Sequence, residues 1–153
     1  MTIAEDELAI RSLVATYSDA TNRGDLEGMV NVYAPDGELI AFGGPAAIGH
    51  DAIRRIVGST IESYEWIFQM THSGLVEVEG DIAHGRWWVS EIAHIGGGNA
   101  SQFYGVYQDK VIRTADGWRF ASRRLDATFL GRTTISGKHY SRPAYDQLGD
   151  LAS

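Results

Sequence analysis

The apolar period of this chain changes once, from 3.6 to 2, near residue 64, and that change constrains its fold more than any other feature. Before it, Ile10, Leu13, Val14, Tyr17 and Thr21 fall on one face of a helix predicted over 4–23. Asn22-Arg23-Gly24 breaks that helix. Asp25 opens a second, short helix with Leu26, Met29, Val30 and Tyr33 inward, and Pro35-Asp36-Gly37 stops it with turn chemistry. Glu38 to Phe42 reads as a short strand, and Gly43-Gly44-Pro45 begins a loop. A third helix is expected from about Asp51 to Ser63, with Ile53, Ile56, Val57 and Thr60 inward. Four strand-like segments follow, at about 66–79, 82–95, 101–114 and 117–128. Gly80-Asp81 and Ala115-Asp116-Gly117 mark hairpins, while Gly96-Gly97-Gly98-Asn99 is a looser link. Segments this long should twist and carry a bulge. Helices followed by an antiparallel meander imply an α+β fold. Such a sheet can curl around the helices and leave a cavity between the layers. Residues 129–153 lack a clear period and are expected to form the C-terminal tail of a single domain, 1–153.

Composition narrows the class of partner. The chain has 153 residues, enough for one domain with a sizeable core. Its net charge is −7 with no basic stripe, so nucleic acid is not an expected partner. It contains no cysteine, which removes disulfides and thiolate metal sites and suits a cytoplasmic setting. The first residues, MTIAEDELAIRSLV, carry acids where a secretory leader carries bases. No apolar run approaches 18 residues, so no membrane span is expected. His50, His84, His94 and His139 are scattered without metal-ligand spacing, and no metal or other cofactor is expected.

One titratable side chain stands out. On the segment 67–79, His72 shares its parity with Phe68, Met70, Gly74, Val76 and Val78, so strand alternation puts it on an apolar face. Burial would keep it neutral and ready to accept a proton near pH 7. A core histidine satisfied by a hydrogen bond would look the same. Arg123 and Arg124 are adjacent on the last strand and must face opposite sides. Parity with Trp118 and Phe120 favours Arg124 as the inward one, and a bulge would reverse that choice. Tyr17, Tyr33, Tyr104 and Tyr107 are candidate hydrogen-bond donors, with Tyr17 on the inner face of the first helix. Phe42, Phe68, Met70, Trp66, Trp88 and Phe103 would suit a pocket wall, a plain core or a subunit interface.

Several short motifs, in order, resemble the NTF2-like superfamily and its SnoaL-like branch. The run Tyr17 to Glu27, YSDATNRGDLE, is similar to the Y…N-x-G-D start of these domains. Ile48-Gly49-His50-Asp51-Ala52-Ile53 resembles their entry to the third helix. Thr71-His72 followed by Val76 to Ala83 resembles the SnoaL-like branch, and Asp116-Gly117-Trp118-Arg119-Phe120 its last strand. The resemblance spans roughly residues 5–130 and implies the cone fold. Within the branch the chain resembles the group of scytalone dehydratase, hexachlorocyclohexane dehydrochlorinase and bile-acid 7α-dehydratase. That group implies a His–Asp pair, here His72 and Asp25, working without cofactor. It also implies an inward arginine at Arg123. The dehydrochlorinase lysine of the first helix is not matched, because Ala20 stands there. In the steroid isomerase branch the general base would fall near Ile40, which accepts no proton.

The expected function is a cofactor-independent lyase, of dehydratase or dehydrohalogenase type, on a small apolar cyclic substrate. His72 would take a C–H proton, Asp25 would orient it, and Arg123 would stabilise the leaving group. Tyr17, Phe42, Phe68, Met70, Trp88, Tyr104 and Arg124 would bind the substrate. Asp25 has a competing role as the N-cap of the second helix. The alternatives are a non-catalytic ligand-binding or assembly subunit, as in ring-hydroxylating dioxygenases, and an isomerase or hydrolase on the same scaffold. Relatives of this kind imply a homo-oligomer, trimer or dimer.

Overall fold

The computed structural model describes residues 2–95, 99–138 and 140. Thr2 caps helix α1 (Ile3–Arg23) in a capping box with Glu5, and Gly24, at φ 68°, ends it in the left-handed conformation that glycine adopts without penalty. All five apolar-face residues named above are buried. Helix α2 (Leu26–Val30) is only five residues long. The chain then enters β1 (Tyr33–Ala41), so Tyr33 belongs to a strand and not to the preceding helix. Pro35-Asp36-Gly37 does not end an element. It forms an irregular stretch inside β1, between the pairs Tyr33–Phe120 and Glu38–Ser122. A Cβ on Gly37 would lie 2.7 Å from the Phe120 carbonyl oxygen, so only glycine allows that approach.

A two-residue strand, β2 (Ala47–Ile48), lies where a loop was expected, pairing antiparallel with β1. Helix α3 (His50–Glu62) buries Ile53 and Val57 but leaves Ile56 and Thr60 exposed, so its inner stripe is narrower than the sequence implies. The meander follows as β3 (Trp66–Glu79), β4 (Ile82–His94), β5 (Asn99–Thr114) and β6 (Gly117–Thr134). Strand β6 runs six residues into the expected tail. Gly96-Gly97-Gly98, His139 and the tail from 141 onward lie outside the described residues. The six strands form one sheet in the order β2-β1-β6-β5-β4-β3, antiparallel except for the β1–β6 pair.

Helix α1 lies along β3, the strand that ends the sheet. The Asn22 side chain donates to the Gln69 carbonyl at 2.8 Å and accepts from the Gln69 N–H at 2.7 Å. Arg11 donates to the Gly74 carbonyl. These bonds occupy backbone groups that an open edge would offer to another chain. At its other end α1 is held by Asp6, which accepts two bonds from Arg113 and one from the Trp118 indole. The core lies between α1 and the inner face of the sheet, with Ile10, Tyr33, Phe120 and Val111 fully buried. No helix among the described residues is long and apolar enough to cross a membrane.

Candidate functional site

Alternation on β4 and β5 fixes what enters the cone. On β4 the inward set is Ala83, Gly85, Trp87, Val89, Glu91 and Ala93, and on β5 it includes Phe103, Tyr107, Asp109 and Val111. Strand β6 begins with Trp118 and Phe120 inward. Lys110 then pairs with Ser122 while Val111 pairs with Phe120, leaving Ala121 as the extra residue of a bulge. The bulge reverses the parity. Arg123 is therefore inward and 0% exposed, and Arg124 faces solvent beside Asp126.

Arg123 is held as a fork. Its Nε donates to Asp109 Oδ1 at 2.9 Å and its Nη2 to Oδ2 at 2.8 Å, and neither side chain has any exposure. Its guanidinium lies 4.0 Å from the Phe120 ring centre, 4.1 Å from Tyr107 and 4.6 Å from Tyr17. Burial disfavours the charge, but the Asp109 carboxylate and its hydrogen bonds outweigh that and leave the pKa above the ordinary arginine value. Arg123 Nη1 has no hydrogen-bond partner, and neither does the buried hydroxyl of Tyr33. Tyr33 packs on Tyr17 and Phe120, so both free donors belong to one cluster. Burial raises the pKa of Tyr17, Tyr33 and Tyr107, which keeps all three phenols protonated. A buried donor left unpaired costs about 1–3 kcal/mol, and the buried Trp87 Nε1 is unpaired as well.

The site also contains a carboxyl that sequence reading passed over. Glu91 is directly opposite Gln69, whose Nε2 donates to Glu91 Oε2 at 2.8 Å. Tyr107 Oη donates to Gln69 Oε1 at 3.4 Å. Burial pushes the Glu91 pKa from 4.5 up to about 7, against the opposing effect of the Gln69 bond. The signal was present: Glu91 is the one acid in the alternate series Ala83, Gly85, Trp87, Val89, Ala93.

The expected histidine–aspartate pair is not assembled. His72 is exposed, and its Nε2 lies 2.8 Å from Ser90 Oγ. Asp25 caps α2 by accepting from the Gly28 N–H at 2.9 Å and pairs with Arg23. A bulge in β3 exchanges the two faces of the strand at this point. Thr71 pairs with Val89 and Gly74 with Trp87, so one extra residue of β3 lies at His72-Ser73. Before it the inward residues are Ile67, Gln69 and Thr71, and beyond it they are Gly74, Val76 and Val78. Phe68 and Met70 consequently lie on the outer face with 49% and 46% exposure. Trp88, Tyr104 and Arg124 are exposed on that outer face too, and none of the five lines the cone. Tyr17 is inside as expected. Phe42 is half exposed, with its ring edge against buried Phe103 at 5.5 Å, and its φ of 52° is unusual for a bulky residue. Among the described residues, no group of three His, Asp or Glu is placed to hold a metal ion.

Comparison with known proteins agrees with this architecture. The family model of the SnoaL-like domain matches residues 2–124. A protein of Novosphingobium aromaticivorans provisionally described as an aromatic ring hydroxylase is 25% identical, with 87% of this chain and 96% of its own covered and a TM-score of 0.80. Another from that organism, provisionally described as a scytalone dehydratase, is 18% identical, covers 94% and 97%, and has a TM-score of 0.77. A type 2 hexachlorocyclohexane dehydrochlorinase is 16% identical, covers 93% and 97%, and has a TM-score of 0.78. The last two likenesses are of fold alone. No curated relative matches the sequence. With the cone, its element order and a family match over most of the chain in agreement, this protein belongs to the SnoaL-like domain family of the NTF2-like superfamily.

Proposed function

We propose that the chain is a cofactor-independent lyase, of dehydratase or dehydrohalogenase type, on a small apolar cyclic molecule held in the cone. The observation that carries this is the pair of buried donors without acceptors, Arg123 Nη1 and the Tyr33 hydroxyl, in an otherwise aromatic cluster inside the cone. Donors fixed in a dry site stabilise the charge that develops on a departing hydroxide or halide. The fold shared with a dehydrochlorinase and a provisional scytalone dehydratase supports the class. The proton would go to a base on the sheet wall. His72 with Asp25 fills that role only if His72 leaves Ser90 and swings inward and Asp25 leaves its helix cap.

The test is a panel of cyclic alcohols, β-hydroxy ketones and chlorinated rings, with formation of the double bond followed by absorbance or NMR. The wild type should turn over at least one class. Tyr33→Phe, which removes only the hydroxyl, should lower kcat by about 10–100-fold with little change in stability. An inactive wild type, or an unaffected Tyr33→Phe, refutes the reading.

A second reading, an assembly or self-associating subunit, is favoured by the outer sheet face. Phe68, Met70, Trp88, Tyr104 and Phe129 are each about half exposed there. Light scattering on the purified chain and on Trp88→Lys would report it: a stable homo-oligomer dissociated by the substitution supports this face as its interface.

A further inference from the structure

A base in this cone must reach the ligand and hold a proton neither too weakly nor too tightly at working pH. Glu91 already points into the cone, without any rearrangement. Alternation on β4 turns it inward beside Val89 and Trp87. Gln69 secures one of its oxygens, and the orientation of that amide is itself fixed. Asn22 holds the Gln69 backbone on both sides, and the Tyr107 hydroxyl donates to Gln69 Oε1, which leaves the Nε2 donors for Glu91. The Gln69 bond goes to Oε2, and among the described residues no hydrogen bond to Glu91 Oε1 is formed. The groups that act on it are Tyr17 from α1 and Tyr107 from β5, with Gln69 from β3 in direct hydrogen-bond contact.

We propose that Glu91 is the proton-transfer residue of the cone, that Gln69 is its positioning residue, and that the substrates are neutral rings with a hydrogen β to a leaving hydroxyl. This rests on the lyase reading above and replaces its base. Glu91 Oε1 takes the proton, and the C–H electron pair becomes the new C=C bond. The C–O bond breaks, and the departing hydroxide takes the proton back from Glu91 and leaves as water. The carboxylate is restored, and atoms and charge balance without a further reactant. Neutral substrates follow from the surroundings: among the described residues no cation acts on Glu91, so an anionic substrate would be repelled. The raised proton affinity of Glu91 fits the same role, since it titrates near pH 7.

Two measurements test this. In the wild type labelled with 13C at glutamate side-chain carboxyls, one resonance should titrate near pH 7 and be missing from Glu91→Gln. A Glu91 midpoint below 5 overturns the proposal whatever the substrate. Dehydration of cyclic β-hydroxy ketones is then followed from pH 5 to 9. The wild-type rate should rise through pH 7, and kcat of Glu91→Gln should fall by ~10²-fold or more. A Glu91→Gln variant with near wild-type kcat overturns the Glu91 assignment and leaves the lyase reading standing. An inactive wild type overturns the lyase reading and takes this assignment with it.

Discussion

Asp109→Asn should be among the most destabilising conservative substitutions in this protein. Asp109 and Arg123 have no exposed side-chain surface, and their two hydrogen bonds are 2.8 and 2.9 Å long. The substitution keeps the shape of the side chain and removes its charge. Arg123 cannot shed its proton, so a cation is left in the core with three aromatic rings as its remaining partners. Breaking a buried ion pair from one side costs about 3–5 kcal/mol. The rings return part of this, since a desolvated cation–π contact is worth about 2 kcal/mol. A net loss of roughly 1–3 kcal/mol is a large share of the 5–15 kcal/mol that holds a typical domain together. For a chain of this size it corresponds to a fall in Tm on the order of 2–12 °C. Urea unfolding followed by circular dichroism at pH 7.5 measures it. The double variant Arg123→Met/Asp109→Leu should recover most of the loss, because no charge is then stranded. A single-variant cost below about 1 kcal/mol, or a double variant worse than Asp109→Asn, would refute the reasoning.

Other consequences are equally concrete. Burial holds the folded Glu91 carboxyl near 7 against 4.5 for the exposed group, so the folded protein binds this proton more tightly than the unfolded chain does. The resulting stabilisation is full below pH 4.5 and is lost as pH rises through 7, an effect of roughly 3 kcal/mol that Glu91→Gln should abolish in denaturation curves across that range. Asn22→Ala removes two bonds to Gln69 and should cost about 1–3 kcal/mol, with the Gln69 amide gaining faster hydrogen exchange. Gly105→Ala places a Cβ 2.5 Å from the Asp126 carbonyl oxygen and should cost about 1–3 kcal/mol, seen as a lower Tm with an intact fold. Asp25→Asn retains the helix cap and should change stability by less than about 0.5 kcal/mol, so any larger loss of turnover would count for the histidine–aspartate mechanism.

The sequence determined the elements because local periodicity and turn chemistry are local properties. The face of α1, the four long strands and both hairpin turns lie in the sequence because each needs only its own few residues to be specified. The short strand β2 and the irregular stretch at Pro35-Asp36-Gly37 were illegible, since both exist only through partners far along the chain. The inside of the cone was decided in tertiary structure by bulges at His72-Ser73 and Ala121. Each adds one residue to a strand and so exchanges its two faces. One puts His72, Phe68 and Met70 outside, and the other brings Arg123 in and sends Arg124 out. Glu91 shows the same division: its inward parity can be read from β4, but its raised proton affinity depends on burial by elements distant in sequence. A period-2 pattern says which residues share a face and leaves open which face meets the helices, and only packing against α1 chooses between them.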